Sequence, residues 1–464
     1  MRMKPRSRPV TRRTFLQSPL AAALAVSACP RFLSAATLGR GPGGSPNARV
    51  QVAAIGVGPQ GQGVMSGILA VPQARVTAVC DVFLRHRNQA RDRVHRHDGD
   101  TACTTYHDFR QVLERPDIDA VLIATPDHWH VPVAIAAARA GKDIYLEKPM
   151  GLAVAENQLL RAAVRQHQRI FQFGTQQRSS REFQRAIELV RNGRIGALKE
   201  IHVWAPASQP GGSMDPSPVP EGLDYDFWLG PAPRTPYTDG KAVENPATQS
   251  WKTWWFHADY ALGFIAGWGV HPLDIALWGH PPLVEGIASI EGRGHIPTQG
   301  AGNTAVAWDV QLTAADGVKL HYRGTPNGFS GKHELHDLSP WEKRYGPLEG
   351  HGTAFLGSDG WVQVHRGGLR THPAALAESP SAGAFSARPS DSHPQDWISS
   401  ILTRRPAVCE IETAFHADLL CHLSDLAVRN PRPLRFDFRR EQFLDDPVAT
   451  RQLALRPMRT PWTL

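Results

Sequence analysis

Val50-Gln51-Val52-Ala53-Ala54-Ile55-Gly56-Val57-Gly58-Pro59-Gln60-Gly61 is the stretch on which the reading of this sequence turns. Its first half is an apolar run of strand length, its second half is a G-x-G-x-x-G turn, and residues 60–70 read as the helix that follows. Asp81 closes the next apolar run, 20 residues beyond Gly61. Strand, glycine turn, helix and a later acidic residue in this order form a dinucleotide-binding fingerprint, whereas a G-x-G-x-x-G alone would be a plain strand-to-helix turn. Gly56 makes the tight turn, and Gly58 lets the backbone approach a pyrophosphate at the helix start formed by Pro59 and Gln60. Gly61 allows helix and strand to pack closely. Asp81 accepts hydrogen bonds from the adenosine ribose and repels a 2′-phosphate, which favours NAD; Arg85 and Arg87 nearby leave NADP open.

Outward from this stretch, short apolar runs at 76–79, 120–124 and 144–146 alternate with helical patterns at 84–97, 109–114 and 133–140. A further unit, 154–168 and 170–173, closes the pattern. Strand–helix alternation of this kind predicts an α/β, doubly wound parallel sheet of Rossmann type over residues 41–173. Ligands of such sheets bind outside the carboxyl ends of the strands. Two segments occupy those positions, Thr125-Pro126-Asp127-His128-Trp129-His130 and Glu147-Lys148-Pro149. Thr125, Pro126, His128, Glu147 and Lys148 are therefore expected along the cofactor. A lysine there can hydrogen-bond a substrate hydroxyl and assist its deprotonation; the plainer alternative is a surface lysine paired with Glu147.

Residues 174–464 have another rhythm. A helix near 182–191 and a strand at 200–204 precede an excursion, 206–246, with nine prolines in 41 residues, a density that forbids regular structure and describes an ordered loop or lid. Strand runs at 284–290, 305–312 and 318–323, then helices at 393–402 and 412–428 and an irregular tail, predict an α+β domain with a largely antiparallel open sheet. Its open face suits a homo-oligomer. Seven of the 13 tryptophans (Trp204, Trp228, Trp251, Trp254, Trp255, Trp268 and Trp278) fall within 75 residues. They suit the flat faces of sugar rings, or else anchor the excursion or a subunit interface.

Composition narrows the class. Hydrophobic residues at 41% and charged residues at 20% exclude bulk disorder and a disulfide mini-protein. The net charge of +8 is accounted for by eight basic residues and no acidic ones in the first 40, so the body has no excess charge to hold nucleic acid. Those 40 residues, with Arg12-Arg13-Thr14-Phe15-Leu16 and an apolar run at 20–28, resemble a twin-arginine signal read by its translocase. The run is too short for a membrane span, which needs about 20 residues. It implies a periplasmic or extracytoplasmic destination. Val26-Ser27-Ala28-Cys29 resembles a lipidation site at Cys29; the alternative is ordinary cleavage there or after Ala36. The other four cysteines, Cys80, Cys103, Cys409 and Cys421, have no zinc-ligand spacing, and neither His128 with His130 nor His257 with Asp259 makes a convincing set, so no metal is expected.

The glycine turn, the Thr125-Pro126 step with His128, and Glu147-Lys148-Pro149 together resemble the Gfo/Idh/MocA oxidoreductases. So does Gly263-Phe264-Ile265-Ala266-Gly267-Trp268-Gly269-Val270-His271-Pro272-Leu273-Asp274, and the tail from Glu441-Gln442-Phe443 to Pro461-Trp462 resembles an exported bacterial subgroup. The likeness runs from about residue 49 to the C-terminus. It implies an NAD(P)-dependent dehydrogenase acting on a hydroxyl of a sugar or cyclic polyol, with Lys148 and His271 around that hydroxyl. Trp129, Gln176, Arg178 and Trp268 fall on the substrate side, although Arg178 could instead pair with Glu182. Where the family commonly carries an aspartate, this sequence has Gly267. Asp274, one helical turn after His271, could orient the imidazole or merely stabilise a helix start. Export implies a retained cofactor regenerated in place. The expected activity is thus an exported oxidoreductase; the alternatives are an NAD-dependent glycoside hydrolase working by transient ring oxidation, elimination and hydride return, and a non-catalytic sugar-binding protein.

Overall fold

The computed structural model describes residues 49–243, 253–326, 333–378 and 383–464. The leader with Cys29, and Trp251, lie outside them. The first sheet is built from β1 (Val50–Ile55), β2 (Ala74–Cys80), β3 (Thr104–Tyr106), β4 (Ala120–Ile123), β5 (Asp143–Leu146) and β6 (Phe171–Phe173). Between and after these strands come helices α1 (Pro59–Leu69), α2 (Leu84–Asp98), α3 (Phe109–Leu113), α4 (Asp127–Arg139) and α5 (Val154–Gln166). All pairings are parallel, in the order β3-β2-β1-β4-β5-β6. The chain leaves β1 in one direction and returns to its other side at β4, so the crevice above β1 and β4 is the switch point where ligands bind. Both β4 and β5 are buried along their whole length, which is why they read as unbroken apolar runs.

After α6 (Arg181–Arg191), β7 (Leu198–Pro206) enters a second sheet, and the excursion follows. It is less irregular than its prolines suggest. Asp224 caps a short helix, α7 (Tyr225–Leu229), by accepting from the Phe227 amide, and a bridge joins Phe83 to Leu223. Next come α8 (Phe264–Gly267), α9 (Val270–Gly279), β8 (Ile287–His295), β9 (Ala307–Thr313), β10 (Lys319–Thr325) and α10 (Ser339–Tyr345). A meander not anticipated from sequence follows: β11 (Gly352–Gly357), β12 (Trp361–His365) and β13 (Gly368–His372). The chain ends with α11 (His393–Thr403), α12 (Ile411–Arg429), β14 (Leu434–Asp437), β15 (Gln442–Phe443) and α13 (Pro447–Arg451), so the tail is ordered and adds two strands.

The second sheet runs β13-β12-β11-β7-β10-β9-β8-β14-β15. Its pairings are antiparallel except β7 with β10, which makes it a mixed sheet. Trp308, Val310 and Leu312 of β9 and Leu320 and Tyr322 of β10 face the helices, while Lys319, His321 and Arg323 alternate to the other side. One apolar cluster runs from β4 and α4 through α9 and α12 to this sheet, so the two sheets share a core.

Helix α11 comes late in the chain yet packs on the first sheet: Trp397, Ile398 and Ile401 join Val50, Met65 and Ile68 in one buried cluster. A β-carbon on Gly67 of α1 would stand 3.0 Å from Pro394.

Candidate active site

The glycine turn is shaped by close approach. Gly56 has φ +79°, and a β-carbon there would lie 2.5 Å from the Thr125 amide nitrogen, so only glycine fits. A β-carbon on Gly61 would lie 2.0 Å from the Gly56 oxygen, which holds α1 against the turn. The first turn of α1 carries Pro59 and no side-chain cap, leaving its amides to an anion. Asp81 accepts from the Val57 amide through Oδ2 and from the Phe83 amide through Oδ1, both at 2.8 Å. The carboxylate thus braces the turn and faces the crevice from the end of β2. Arg87 is committed to the Asp81 carbonyl and Arg85 lies 5.0 Å from the Phe83 ring.

A cavity of about 530 Å³ begins at this turn and continues over the strand crest. Gly56, Gly58, Pro59, Gln60, Gly61 and Asp81 line one end. Thr125, Pro126, Trp129, Glu147, Lys148 and Gln176 line the middle, and Trp268, His271 and Arg366 the other end. Leu223, Phe227 and Trp228 of the excursion and Trp254 and Trp255 wall it, so part of the excursion is ordered against the cavity. Three buried polar atoms along the cavity have no hydrogen-bond partner among the described residues: Thr125 Oγ1, Glu147 Oε1 and His271 Nδ1. Free amides, a ribose-facing carboxylate and orphaned polar atoms along one groove fit a nicotinamide dinucleotide.

At the end away from the glycine turn, residues from both sheets' domains converge. Lys148, from the crest after β5, donates through Nζ to the Gly267 carbonyl at 3.2 Å and lies 5.9 Å from the Trp268 ring centre. His271 is 3% exposed. Burial, then the Lys148 ammonium, hold its pKa well below the ordinary histidine value, so the imidazole is neutral near pH 7. Glu147 is buried too, and burial pushes its carboxyl up against the opposing pull of Lys148. Asp418 of α12 pins the Lys148 loop from behind, accepting from the Met150 amide at 3.0 Å and from Asn157 at 2.7 Å.

Several expected roles are reassigned. Asp274 does not orient His271: its carboxylate accepts from Arg178 Nε at 2.8 Å and Nη2 at 2.7 Å, a bidentate pair sealed in the core. Arg178 is accordingly withdrawn from the substrate side, and its partner is Asp274 rather than Glu182. His128 turns away from the cavity to the Trp228 carbonyl at 3.0 Å. Its neighbour His130 lines the cavity and bridges the Thr125 and Pro149 carbonyls at 2.8 and 2.6 Å. Trp129 reaches the cavity but is anchored by the Trp228 carbonyl and stands edge-on to Trp462. Trp204 and Trp278 do not line the cavity; Trp204 is buried under Trp341 and Trp278 lies under the Arg178 guanidinium. Sequence reasoning missed Asp127, His351 and Arg366. His351 lies tilted against Trp268 and His271, with ring centres 5.0 and 5.7 Å away, and accepts from Gln177 Nε2 at 2.7 Å. Both His351 and Arg366 belong to the β11–β13 region, for which no strand pattern was evident.

Glu200, His202 and His321, on the outer face of the second sheet, have ligand atoms within 4.8 Å of one another, a spacing a metal ion could use. Both His202 nitrogens are already occupied, by Glu200 at 3.1 Å and Tyr345 at 3.0 Å, and Lys319, Arg323 and Arg344 border the cluster. These contacts account for it as a polar brace.

Fold and site together define a dinucleotide-binding α/β protein whose second domain completes the cavity. The profile of the Gfo/Idh/MocA oxidoreductases with NAD-binding Rossmann fold matches residues 50–175, and that of their C-terminal alpha/beta domain matches residues 202–324. The chain belongs to the Gfo/Idh/MocA family, and its cofactor groove is of the NAD type. A glycosyl hydrolase family 109 protein of Saccharopolyspora erythraea is 36% identical over 165 residues, 32% of this chain and 36% of that protein. Myo-inositol 2-dehydrogenase of Thermotoga maritima is 32% identical over 120 residues, 26% of this chain and 33% of that protein. The chain thus spans about a third of the length of these curated relatives. Aldose-aldose oxidoreductase from Caulobacter crescentus, complexed with glycerol, shares the fold with a TM-score of 0.58 at 18% identity, over 83% of this chain and 99% of that one.

Proposed function

We propose that this protein is an NAD-dependent oxidoreductase acting on a hydroxyl of a sugar or cyclic polyol. The observation that carries the reading is the convergence of Lys148 and His271 on the cavity that begins at the glycine turn. A nicotinamide ring held there would accept the hydride leaving the carbinol carbon. The Lys148 ammonium stabilises the negative charge that develops on the substrate oxygen, and the neutral His271 imidazole takes the hydroxyl proton. Trp268, beneath Lys148, offers a flat face to the ring, and the excursion excludes water. Gly267 leaves this end without the family's aspartate, so Lys148 is oriented by a carbonyl instead. Lys148→Ala should abolish turnover, by roughly 10²–10⁴-fold, with NAD still bound; turnover that survives the change refutes the assignment.

A second reading draws on the family 109 relatives, which are 36% and 33% identical to this chain over 165 and 164 residues. In it a bound NAD would take hydride from a ring carbon and return it after the aglycone has left and water has added, while Lys148 and His271 would handle the protons. Free sugar released from a glycoside without net NADH, seen by chromatography, would favour this reading; stoichiometric NADH favours the first.

The twin-arginine-like leader supports export with cofactor retained, and the open face of the second sheet supports a homo-oligomer. Native mass spectrometry of the purified protein reads the retained dinucleotide, its phosphate count, the subunit number and the mature N-terminus together.

A further inference from the structure

Arg459 and Trp462, in the tail beyond the last helix, grip the excursion where it walls the cavity. Helix α7 has five residues, too few to hold itself, so its place is set by what it docks against. Its Phe227 and Trp228 line the cavity. On one side α4 takes it: the Trp228 carbonyl accepts from Trp129 Nε1 and from His128 Nε2, both at 3.0 Å. A β-carbon on Gly230 would stand 2.0 Å from the Trp129 ring, so there is no slack between the two. On the Asp81 side the excursion bonds to the chain leaving β2, with the Leu84 amide donating to the Gly222 carbonyl at 2.9 Å and the Asp224 amide to the Val82 carbonyl at 3.1 Å. The excursion therefore crosses the groove from its ribose end to α4.

The tail fastens this crossing from outside. Arg459 donates through Nε to the Gly230 carbonyl at 2.9 Å, through Nη1 to Asp226 Oδ1 at 2.7 Å and through Nη2 to the Asp226 carbonyl at 2.7 Å. Its amide donates to the Pro231 carbonyl at 2.9 Å. The whole guanidinium fork is thus spent on the segment that carries Phe227 and Trp228. Trp462 lies parallel to Phe227, with ring centres 5.3 Å apart, and edge-on to Trp129 at 4.7 Å. The Arg110 guanidinium of α3 lies 5.3 Å from the Trp462 ring centre. Trp462 is a wedge among α3, α4 and α7, directly behind Trp129 and Phe227, which both face the cavity. Neither Arg459 nor Trp462 lines the cavity, and both are half-buried at the surface. They touch the wall and not its contents.

We infer that Arg459 and Trp462 are positioning residues that clasp the excursion over the bound nucleotide, so that NAD enters and leaves only when this clasp opens. This rests on the dinucleotide reading of the groove and adds how the nucleotide is kept. Damage to a wall that merely touches NAD speeds its departure and leaves its arrival alone; loss of a clasp that must open first speeds both. The test is stopped-flow fluorescence of the full chain with NADH, reading kon from binding over a range of concentrations and koff from displacement by excess NAD. Wild type, Arg459→Ala, Trp462→Ala and Trp462→Phe are compared, with far-ultraviolet dichroism showing each to be folded. Both alanine variants should raise koff by about tenfold or more and kon by about threefold or more. Trp462→Phe, which keeps a ring against Phe227, should stay within about threefold of wild type in both rates. An alanine variant whose rates stay within about twofold of wild type, or whose koff rises while kon does not, overturns the clasp. A wild type that binds no NADH overturns the dinucleotide reading and the clasp with it, whereas NADH binding at rates indifferent to Arg459 and Trp462 overturns the clasp alone.

Discussion

Gly61 and Gly63 are two residues apart on α1, and replacing each by alanine should move the protein in opposite directions. At Gly61 the new methyl group would start 2.0 Å from the Gly56 oxygen, 3.0 Å from the Gly56 carbonyl carbon and 3.3 Å from the Ala124 β-carbon. Two of these atoms are backbone of the turn itself, so relief requires α1 or the turn to shift by about 1 Å, at an overpacking cost of roughly 1–3 kcal/mol. The shift also displaces the amides that face the pyrophosphate, so NAD affinity should fall at least tenfold, or about 1.4 kcal/mol. At Gly63 nothing lies within 4 Å of the added methyl. The site is exposed in mid-helix, where alanine is favoured over glycine by roughly 0.5–1 kcal/mol. Unfolding curves of the two variants in urea, together with nucleotide fluorescence titrations, should therefore separate by about 2–4 kcal/mol in stability. Only one variant should lose the nucleotide. A Gly61→Ala protein that melts and binds NAD like Gly63→Ala would refute the close-packed turn as the reason for glycine there.

Asp274→Asn leaves the Arg178 guanidinium charged in the core and should cost about 3–5 kcal/mol in urea unfolding, while replacing both partners by Met and Leu should restore most of it. Because burial lowers the His271 pKa, the imidazole stays neutral and able to accept a proton as pH falls through 6.5. The acid limb of the kcat/KM profile should accordingly lie well below that value, and a limb at 6.5 would contradict the role. Gly267→Asp introduces a side chain where the nearest atom to its β-carbon is Phe264 Cδ1 at 3.8 Å, so the β-carbon is accommodated. Its carboxylate favours the imidazolium and should move the same acid limb to higher pH, read from the variant's rate profile.

The first sheet was legible because β1, β4 and β5 are buried on both faces and the glycine turn has a fixed place between strand and helix. The second sheet was legible only where inward and outward residues alternate, as in β9 and β10. The runs that became β11 to β13 mix glycine, histidine and arginine with apolar residues, because their outer side is covered by Trp341 and Tyr345 and their turn serves the cavity. Arg366 and His351 were therefore invisible as site residues. The placement of Lys148 and His271 on the cavity followed from motif position, but the pairing of Arg178 with Asp274 did not. Two charged residues 96 positions apart carry no mutual signal in a single sequence, and only folding brings them together. His128 and His130 differ by the register of α4 alone: a helix starting at Asp127 sends one ring to Trp228 and the other to the crest loops.

The return of α11 to the first sheet has a consequence in time. The cofactor-binding half ends near residue 175, yet Val50, Met65 and Ile68 are covered only when Trp397, Ile398 and Ile401 arrive. At ordinary synthesis rates the intervening stretch takes roughly 10–45 s to emerge, during which that apolar flank stays wet and open to wrong partners. The amino-terminal half is thus no transplantable cassette, and a ribosome stalled midway would hold a sticky intermediate rather than a finished nucleotide-binding module.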